Sequence, residues 1–192
     1  MKIGIFGGSF NPIHLGHLQL GQQLCRQGEV DALWFMVSPL NPLKQETASE
    51  LLPDEVRLRL ARLAVRGRAR LHVSDFEMHL PRPSYMVNTL EQLRLAWPEH
   101  EFLLVIGADN WLRFPQWKDS DEILRHHRLL VYPRPGSDVD ASLLPDGVKM
   151  LATPLLDISS THIRQSIRQG NYDGQGLTPA VWKEIKQKRY YL

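Results

Sequence analysis

Cysteine is almost missing from this sequence, since Cys25 is the only one among 192 residues. A single cysteine excludes an intrachain disulfide and a zinc site built from several thiolates. The sequence also lacks a large excess of either charge. The 23 Lys and Arg residues are nearly balanced by 21 Asp and Glu residues, which leaves a formal net charge of +2. This balance argues against a broad nucleic-acid-binding face, but it leaves room for a local basic cluster that binds phosphates.

Long hydrophobic runs are lacking as well, and no segment approaches the length of a membrane span. The first residues, Met1 to Phe6, lead at once into a glycine pair and do not have the layout of a signal peptide. We therefore expect a soluble cytoplasmic protein that has neither a membrane nor a nucleic acid as its partner.

Length and composition are those of a folded chain, with 43% hydrophobic and 23% charged residues. The 192 residues suffice for one α/β domain with a sizeable core and are too few for two independent domains. We expect a single domain over 1–192 whose C-terminal part, about 159–192, is helical. The sequence leaves open whether the chain forms a homo-oligomer.

Short apolar runs alternate with segments of helical periodicity, and the runs predict six strands at 3–6, 32–37, 71–73, 102–106, 129–132 and 148–151. Continuous rather than alternating apolarity is typical of a parallel sheet covered on both faces. The fold class predicted from this alternation is α/β: a Rossmann-like, doubly wound parallel sheet with helices on both faces and a small C-terminal helical segment.

Helix boundaries can be predicted from capping residues. We expect helices over 18–27, which would place Cys25 in the core, and over 85–96 with Ser84 as N-cap. A further helix opens at Pro53, one begins after Ser159-Ser160, and the last begins at Thr178-Pro179.

The first junction between strand and helix carries the main functional signal. In open α/β sheets, ligands bind beyond the carboxyl ends of the strands, and here Gly7 and Gly8 would let a ligand approach the backbone closely. His14 and His17 follow three residues apart, on one face of a helix start, where two imidazoles can donate hydrogen bonds to phosphate oxygens. The segment is neither a P-loop nor a Gly-x-Gly-x-x-Gly fingerprint. Two structural histidines, or a metal site without nearby carboxylates, are weaker interpretations of the same pair.

The stretch Gly7-Gly8-Ser9-Phe10-Asn11-Pro12-x-His14-x-Gly16-His17 resembles the signature of the nucleotidylyltransferase superfamily, specifically that of bacterial nicotinate-mononucleotide adenylyltransferases. Asn11 stands where the family usually has aspartate, a change that we expect to matter little because either side chain can stabilise the turn.

The resemblance covers nearly the whole chain. Ile158-Ser159-Ser160-Thr161-x-Ile163-Arg164 is similar to the second hallmark of the family. It implies a clamp of hydroxyls, helix N–H groups and a guanidinium for the phosphates of ATP. Ile106-Gly107-Ala108-Asp109 resembles the segment whose carboxylate accepts hydrogen bonds from ribose hydroxyls. The residues for which the resemblance implies ATP binding are Gly7, Gly8, Ser9, Phe10, His17, Gly107, Asp109, Ile158, Ser159, Ser160, Thr161 and Arg164.

Other matching segments imply a site for the second substrate. Pro83-Ser84-Tyr85-Met86 resembles a family segment that has threonine in place of Met86, and Phe114-Pro115-x-Trp117 resembles one whose indole stacks on a pyridine ring. Pro42-Leu43-Lys44 is similar to a family loop in which the lysine binds phosphate, with Leu43 in place of the histidine of that loop. Arg134-Pro135-Gly136 also matches a segment of the family. The implied mononucleotide-binding residues are Lys44, Ser84, Tyr85, Met86, Trp117 and Arg134.

The activity implied by the resemblance is transfer of the adenylyl group of ATP to nicotinate mononucleotide, which yields deamido-NAD and pyrophosphate in NAD biosynthesis. His14, His17 and Arg164 would be catalytic, and Mg²⁺ would arrive with ATP rather than in a metal cage of the protein. Three alternatives stay open: nicotinamide mononucleotide or both mononucleotides as substrate, another nucleotidylyltransferase of the superfamily, and a non-catalytic nucleotide sensor.

Overall fold

The computed structural model describes residues 1–39, 51–154 and 158–192. Its centre is a six-stranded sheet in which every neighbouring pair of strands is parallel. The strands are β1 (Lys2–Gly8), β2 (Ala32–Val37), β3 (Leu71–Ser74), β4 (Glu101–Gly107), β5 (Leu129–Tyr132) and β6 (Val148–Met150). All six lie where the apolar runs predict them.

The strand order is β3-β2-β1-β4-β5-β6. The chain winds outward from β1 to β3, crosses back, and then winds the other way from β4 to β6. The strand order therefore reverses between β1 and β4, which pair from Lys2 with Glu101 to Ile5 with Leu104. A crevice opens at such a reversal, beyond the carboxyl ends of the strands, and it is the usual ligand site of this architecture.

The helices of the described residues connect the strands and extend the C-terminal part. They are α1 (Leu15–Arg26), α2 (Asp54–Val65), α3 (Met86–Ala96), α4 (Ala108–Trp111), α5 (Ser120–His126), α6 (Ser160–Arg168) and α7 (Pro179–Lys188). Short 3₁₀ helices lie at Phe76–His79, Phe114–Gln116 and Ala141–Leu143. No helix in the described ranges is long and apolar enough to cross a membrane.

Two hydrophobic clusters cover the two faces of the sheet, because alternate strand residues point to opposite sides. One face contributes Phe6, Leu33, Phe35, Leu103 and Val105, which pack with α1, α2, α6 and α7. The other contributes Ile3, Ile5, Met36, Leu104 and Ile106, which pack with α3 and α5. The doubly wound sheet with helices on both faces is thus confirmed. Cys25 is buried in the first cluster, as predicted.

Helix α1 begins at Leu15, three residues earlier than the predicted start at residue 18. The reason is that His14 and His17 provide the start of the helix themselves. His14 is the extended N-cap residue, and its N–H donates to Nδ1 of His17 over 3.2 Å. The Leu15 N–H donates to the carbonyl of Gly176 over 2.7 Å, so the first turn is also tied to the C-terminal part.

The capping predictions have mixed outcomes. Ser159 and Thr178 are the N-caps of α6 and α7, and each hydroxyl accepts an N–H of the first turn. The assignment of Ser84 as N-cap of α3 was wrong, because Tyr85 holds that place without a side-chain cap. Ser84 is buried instead and lines the same cavity as Glu77.

Candidate active site

A cavity of about 520 Å³ lies at the carboxyl ends of the central strands, where the strand order reverses. It is large enough for a small-molecule ligand of nucleotide size. The predicted site residues that line it are Gly7, Gly8, Ser9, Phe10, His14, His17, Ser84, Tyr85, Met86, Gly107, Trp117, Arg134, Ile158, Ser159, Ser160, Thr161 and Arg164. Segments from the two ends of the sequence thus converge on one cavity.

Two predicted residues are not in that lining. Lys44, with the segment Pro42–Lys44, lies outside the described residues. Asp109 lies on α4 beside the cavity, and its Oδ1 is 3.6 Å from Nε of Arg134. The carboxylate therefore faces a guanidinium rather than the open cavity, and its role toward a ribose stays a prediction.

The two histidines stack at the start of α1, with ring centroids 3.6 Å apart. The hydrogen bond from the His14 N–H makes Nδ1 of His17 an acceptor, so in the neutral ring the proton of His17 is on Nε2, which is then a donor. His17 also packs edge-on against Phe6 and Phe10, which fix the plane of its ring. The local fold thus selects one tautomer of His17.

His14 is only 5% exposed. Burial, with a smaller contribution from the positive charge of Arg134, lowers the pKa of His14 to about 3. His14 is therefore neutral at physiological pH and carries one ring N–H. Its Nδ1 is buried against Gly16 and has no hydrogen-bond partner among the described residues. A methyl group at Gly16 would lie 3.0 Å from this Nδ1, which explains why the turn needs glycine there.

Helix α6 brings the second hallmark motif to the histidine pair. The Ser160 hydroxyl donates to the Pro12 carbonyl over 2.9 Å, and Nη1 of Arg164 donates to the Asn11 carbonyl over 3.0 Å. Arg164 is 9% exposed, so its charge is largely removed from water and acts strongly on a bound anion. The helix N-terminus adds N–H groups that favour negative charge at the same place.

The other end of the cavity is aromatic. Trp117 lines it, and its buried Nε1 has no hydrogen-bond partner within the described ranges. Tyr85 is covered by Lys118, whose Nζ is 4.9 Å from the ring centroid. The Met86 side chain reaches the glycine pair, since its methyl group would be 2.8 Å from a Cβ at Gly7. This end offers a flat apolar surface, a donor and a nearby positive charge.

Some residues of the site are not recognisable from the sequence. Glu77 is 3% exposed and lines the cavity; burial raises the pKa of its carboxyl group, and the Ser84 and Ser38 hydroxyls lower it only in part. The Asn11 side-chain oxygen accepts the Leu52 N–H over 3.2 Å and the Tyr191 hydroxyl over 2.9 Å. Glu77 looks like an ordinary surface charge in the sequence, and Tyr191 is 180 residues from its partner.

A parallel sheet of this strand order, with two histidines and a buried arginine facing a cavity at the reversal, defines a nucleotide-binding α/β protein of the nucleotidyltransferase class. The cytidylyltransferase-like family model matches residues 5–166. Among curated relatives, a protein of Bacteroides thetaiotaomicron is 50% identical over 97% of this chain and 92% of its own length. One of Cytophaga hutchinsonii is 39% identical over 100% of this chain and 98% of its own. Both are named "Probable nicotinate-nucleotide adenylyltransferase".

Among solved structures, the Plasmodium falciparum nicotinic acid mononucleotide adenylyltransferase complexed with NaAD superposes with a TM-score of 0.84. The match covers 99% of this chain and 97% of that one, and at 18% identity it establishes the fold alone. With relatives at 39–50% identity over nearly the full length, the chain belongs to the cytidylyltransferase-like family and, within it, to the nicotinate-nucleotide adenylyltransferases. The resemblance stated from the sequence is thereby confirmed.

Proposed function

We propose that this chain transfers the adenylyl group of ATP to nicotinate mononucleotide and so forms deamido-NAD and pyrophosphate in NAD biosynthesis. One observation carries the proposal: the stacked pair His14 and His17 and the buried Arg164 line the same cavity, which is of nucleotide size. Family membership supplies the substrate class, and the cavity supplies donors where a triphosphate needs them.

The reaction needs no covalent intermediate and no general base. An oxygen of the mononucleotide 5′-phosphate, already anionic at neutral pH, attacks the α-phosphorus of ATP. A new P–O bond forms, the bond from the α-phosphorus to the bridging oxygen breaks, and pyrophosphate leaves with the electron pair. Catalysis is then positioning together with stabilisation of the charge that develops on phosphate oxygens.

The ATP end of the cavity supplies these donors. His17 donates from Nε2 and the neutral His14 from its ring N–H, both toward the α-phosphate. Arg164, with the Thr161 hydroxyl and the backbone N–H groups of Ser160 and Thr161 at the start of α6, holds the β- and γ-phosphates. Backbone groups of Gly7, Gly8, Ser9 and Phe10 approach the phosphates, while the adenosine part lies near Gly107, Asp109, Ile158 and Ser159.

Magnesium enters with ATP as part of the substrate. The described residues hold no group of three or more His, Cys, Asp or Glu side chains that could cage an ion. Mg²⁺ keeps several waters and accepts phosphate oxygens readily, so the β- and γ-phosphates themselves serve as ligands. Bound in this way, Mg²⁺ would supply positive charge to the phosphates that leave as pyrophosphate, and Arg164 holds these phosphates in place.

The aromatic end receives the pyridine mononucleotide. Trp117 and Tyr85 provide the stacking surface, Ser84 and Met86 border it, and Arg134 and Lys44 are assigned to the mononucleotide phosphate. The unpartnered Nε1 of Trp117 is a donor, as a carboxylate requires, and a pocket of donors alone leaves the NH₂ of a carboxamide without an acceptor. Met86 brings no hydroxyl, so this pocket depends on N–H groups for its choice of substrate.

The decisive measurement is pyrophosphate release with ATP and either nicotinate or nicotinamide mononucleotide, compared as kcat/KM at one ATP concentration. We expect a preference for the acid of about tenfold or more, because a site built for one hydrogen-bond pattern leaves groups unpaired with the other. Met86→Thr should widen the preference by adding a donor.

Equal values, or a preference for nicotinamide mononucleotide, would refute the acid pocket and leave adenylyl transfer intact. No pyrophosphate release with either mononucleotide, in a folded protein that binds ATP, would favour the nucleotide sensor instead. The mass of the dinucleotide product is an independent check.

A further inference from the structure

Arg57 is a fully buried cation for which the mechanism above has no use. It lies on α2 with 0% of its side chain exposed, and its guanidinium carries a positive charge. Each of its bonds goes to a defined acceptor: the carbonyls of Ser9 (2.6 Å), Ser38 (2.9 Å) and Leu52 (2.9 Å), and Oδ1 of Asp54 (2.5 Å). A charge is placed in such a position only at a large desolvation cost, which these bonds must offset.

Two of these acceptors belong to loops that line the cavity. Ser9 follows the glycine pair of β1, and Ser38 follows β2 and donates its own N–H to the Gly8 carbonyl over 2.9 Å. Nη1 of Arg57 bonds to both carbonyls at once. Arg57 does not line the cavity, so it holds the two loops together from behind.

The bond to the Ser9 carbonyl has a consequence for the next N–H group. The peptide between Ser9 and Phe10 is trans and planar, so its C=O and N–H point in opposite directions. Because the carbonyl points back to Arg57, the Phe10 N–H points away from it, to the side of the cavity. Phe10 has φ of 44°, in the left-handed region that non-glycine residues seldom adopt, so this backbone needs outside contacts to hold it.

The charge of Arg57 also lies behind the turn at 7–11, which the proposed function assigns to phosphate and which we call the phosphate-binding turn. Asp54 balances it only in part, since this carboxylate is 30% exposed and is shared with Arg82, whose Nη2 is 3.0 Å from Oδ2. Arg57 and Arg164 thus approach the same loop from two sides, one through the Ser9 carbonyl and the other through the Asn11 carbonyl.

We propose that Arg57 is a positioning residue for the phosphate-binding turn: it holds the Ser9 carbonyl from behind, aims the Phe10 N–H at the triphosphate and keeps a positive charge beneath it. This inference rests on the proposed function, because it takes the ATP phosphates as the ligand of the turn. It predicts that Arg57 supports affinity for phosphates and contributes nothing to affinity for the nucleoside.

The test compares ATP with adenosine by titration calorimetry, in the presence of Mg²⁺, for wild type, Arg57→Lys and Asp54→Asn. Lysine keeps the charge but cannot reach both carbonyls and the carboxylate, so the preference for ATP over adenosine should fall about tenfold or more. Asp54→Asn keeps the guanidinium and removes the charge of its carboxylate partner. The preference for ATP over adenosine should therefore fall several-fold in this variant. The adenosine Kd should stay within twofold in both variants, and kcat should fall in the same order.

The matched control is Arg128→Ala, which removes an exposed arginine paired with Glu101 at 3.5 Å, away from the cavity; it should change neither ligand's Kd. Circular dichroism and melting curves establish which variants are folded at the assay temperature. If Arg57→Lys is unfolded, the ratio of the adenosine Kd to the ATP Kd in Asp54→Asn tests the proposal in its place.

Folded variants that keep the wild-type preference for ATP would overturn the role of Arg57. So would an equal loss of affinity for ATP and adenosine, because that result marks a general structural role. A wild type that binds ATP no better than adenosine is a different failure, since it contradicts the proposed function itself.

Discussion

The histidine pair shows how one short motif gives two imidazoles different properties. His14 is removed from water, and its pKa falls to about 3, so it is neutral at any physiological pH. His17 is half-buried and has its tautomer selected by a backbone N–H of its neighbour. Both rings therefore line the cavity as preorganised donors, His14 because it is neutral and His17 because its Nδ1 already accepts a hydrogen bond.

At the residue scale, His17→Ala should leave a folded protein with a strongly reduced kcat. The loss of one preorganised donor to developing charge typically costs about 10²–10³ in turnover. Steady-state kinetics at saturating ATP and mononucleotide measures the effect, with the exposed His126→Ala as control. A folded His17→Ala protein with near-normal kcat would contradict the role of His17 in the transition state.

Prediction from the sequence succeeds at this scale where a motif is short and local. Two glycines, two histidines and a later arginine indicate a phosphate site, because each residue type has a known use at the start of a helix. Tyr191 has no such signal, since its bond to Asn11 depends on how the far end of the chain folds back. The place of Asp109 could not be predicted either, because the ion pair with Arg134 forms only in the folded chain.

At the element scale, the helices illustrate what periodicity can and cannot reveal. The pattern in α2 places Leu60 and Ala64 toward the core, and both are buried. Arg57 lies on the same stripe, three residues before Leu60 and seven before Ala64, yet an arginine in an amphipathic helix is ordinarily assigned to solvent. The buried position of Arg57 was thus predictable from helical spacing, whereas its carbonyl partners in the loops at Ser9, Ser38 and Leu52 were not.

Capping predicts the boundaries of the last two helices better than that of the first. Thr178→Ala should lower the free energy of unfolding by about 1 kcal/mol, because the hydroxyl accepts the Val181 N–H and is buried at the N-cap of α7. Thr178→Ser should retain most of the stability. Urea denaturation measures both, and kcat should stay at the wild-type value because Thr178 does not line the cavity. An unchanged midpoint in Thr178→Ala would show that the cap contributes nothing.

At the scale of the whole molecule, we propose that 1–192 folds as one domain, with 159–192 as its helical C-terminal part. Several contacts across this part support the proposal. The Leu15 N–H bonds to the Gly176 carbonyl, Arg59 pairs with Glu184 at 2.7 Å, and Tyr191 reaches Asn11. These contacts include the start of α1 and the phosphate-binding turn, so loss of the C-terminal part should disturb the site as well as the core.

The stability of the whole chain should also depend on pH through one buried imidazole. In the folded protein the pKa of His14 is about 3, against 6.5 for an ordinary histidine, so between these values the unfolded chain binds a proton that the folded chain does not. The free energy of unfolding therefore falls as the pH is lowered through this window, by at most about 1.4 kcal/mol per pH unit for this one group.

His14→Gln removes the proton-binding group, so its stability should fall less steeply between pH 6.5 and pH 4.5 than that of the wild type. Urea denaturation at several pH values measures the two slopes, whatever the absolute stabilities are. Thr178→Ala is the control, because it lowers stability without removing a titrating group and should shift the curve without changing its slope. Equal slopes in wild type and His14→Gln would mean that His14 becomes protonated in the folded state. The neutral His14 assigned to the active site would then be wrong at acidic pH.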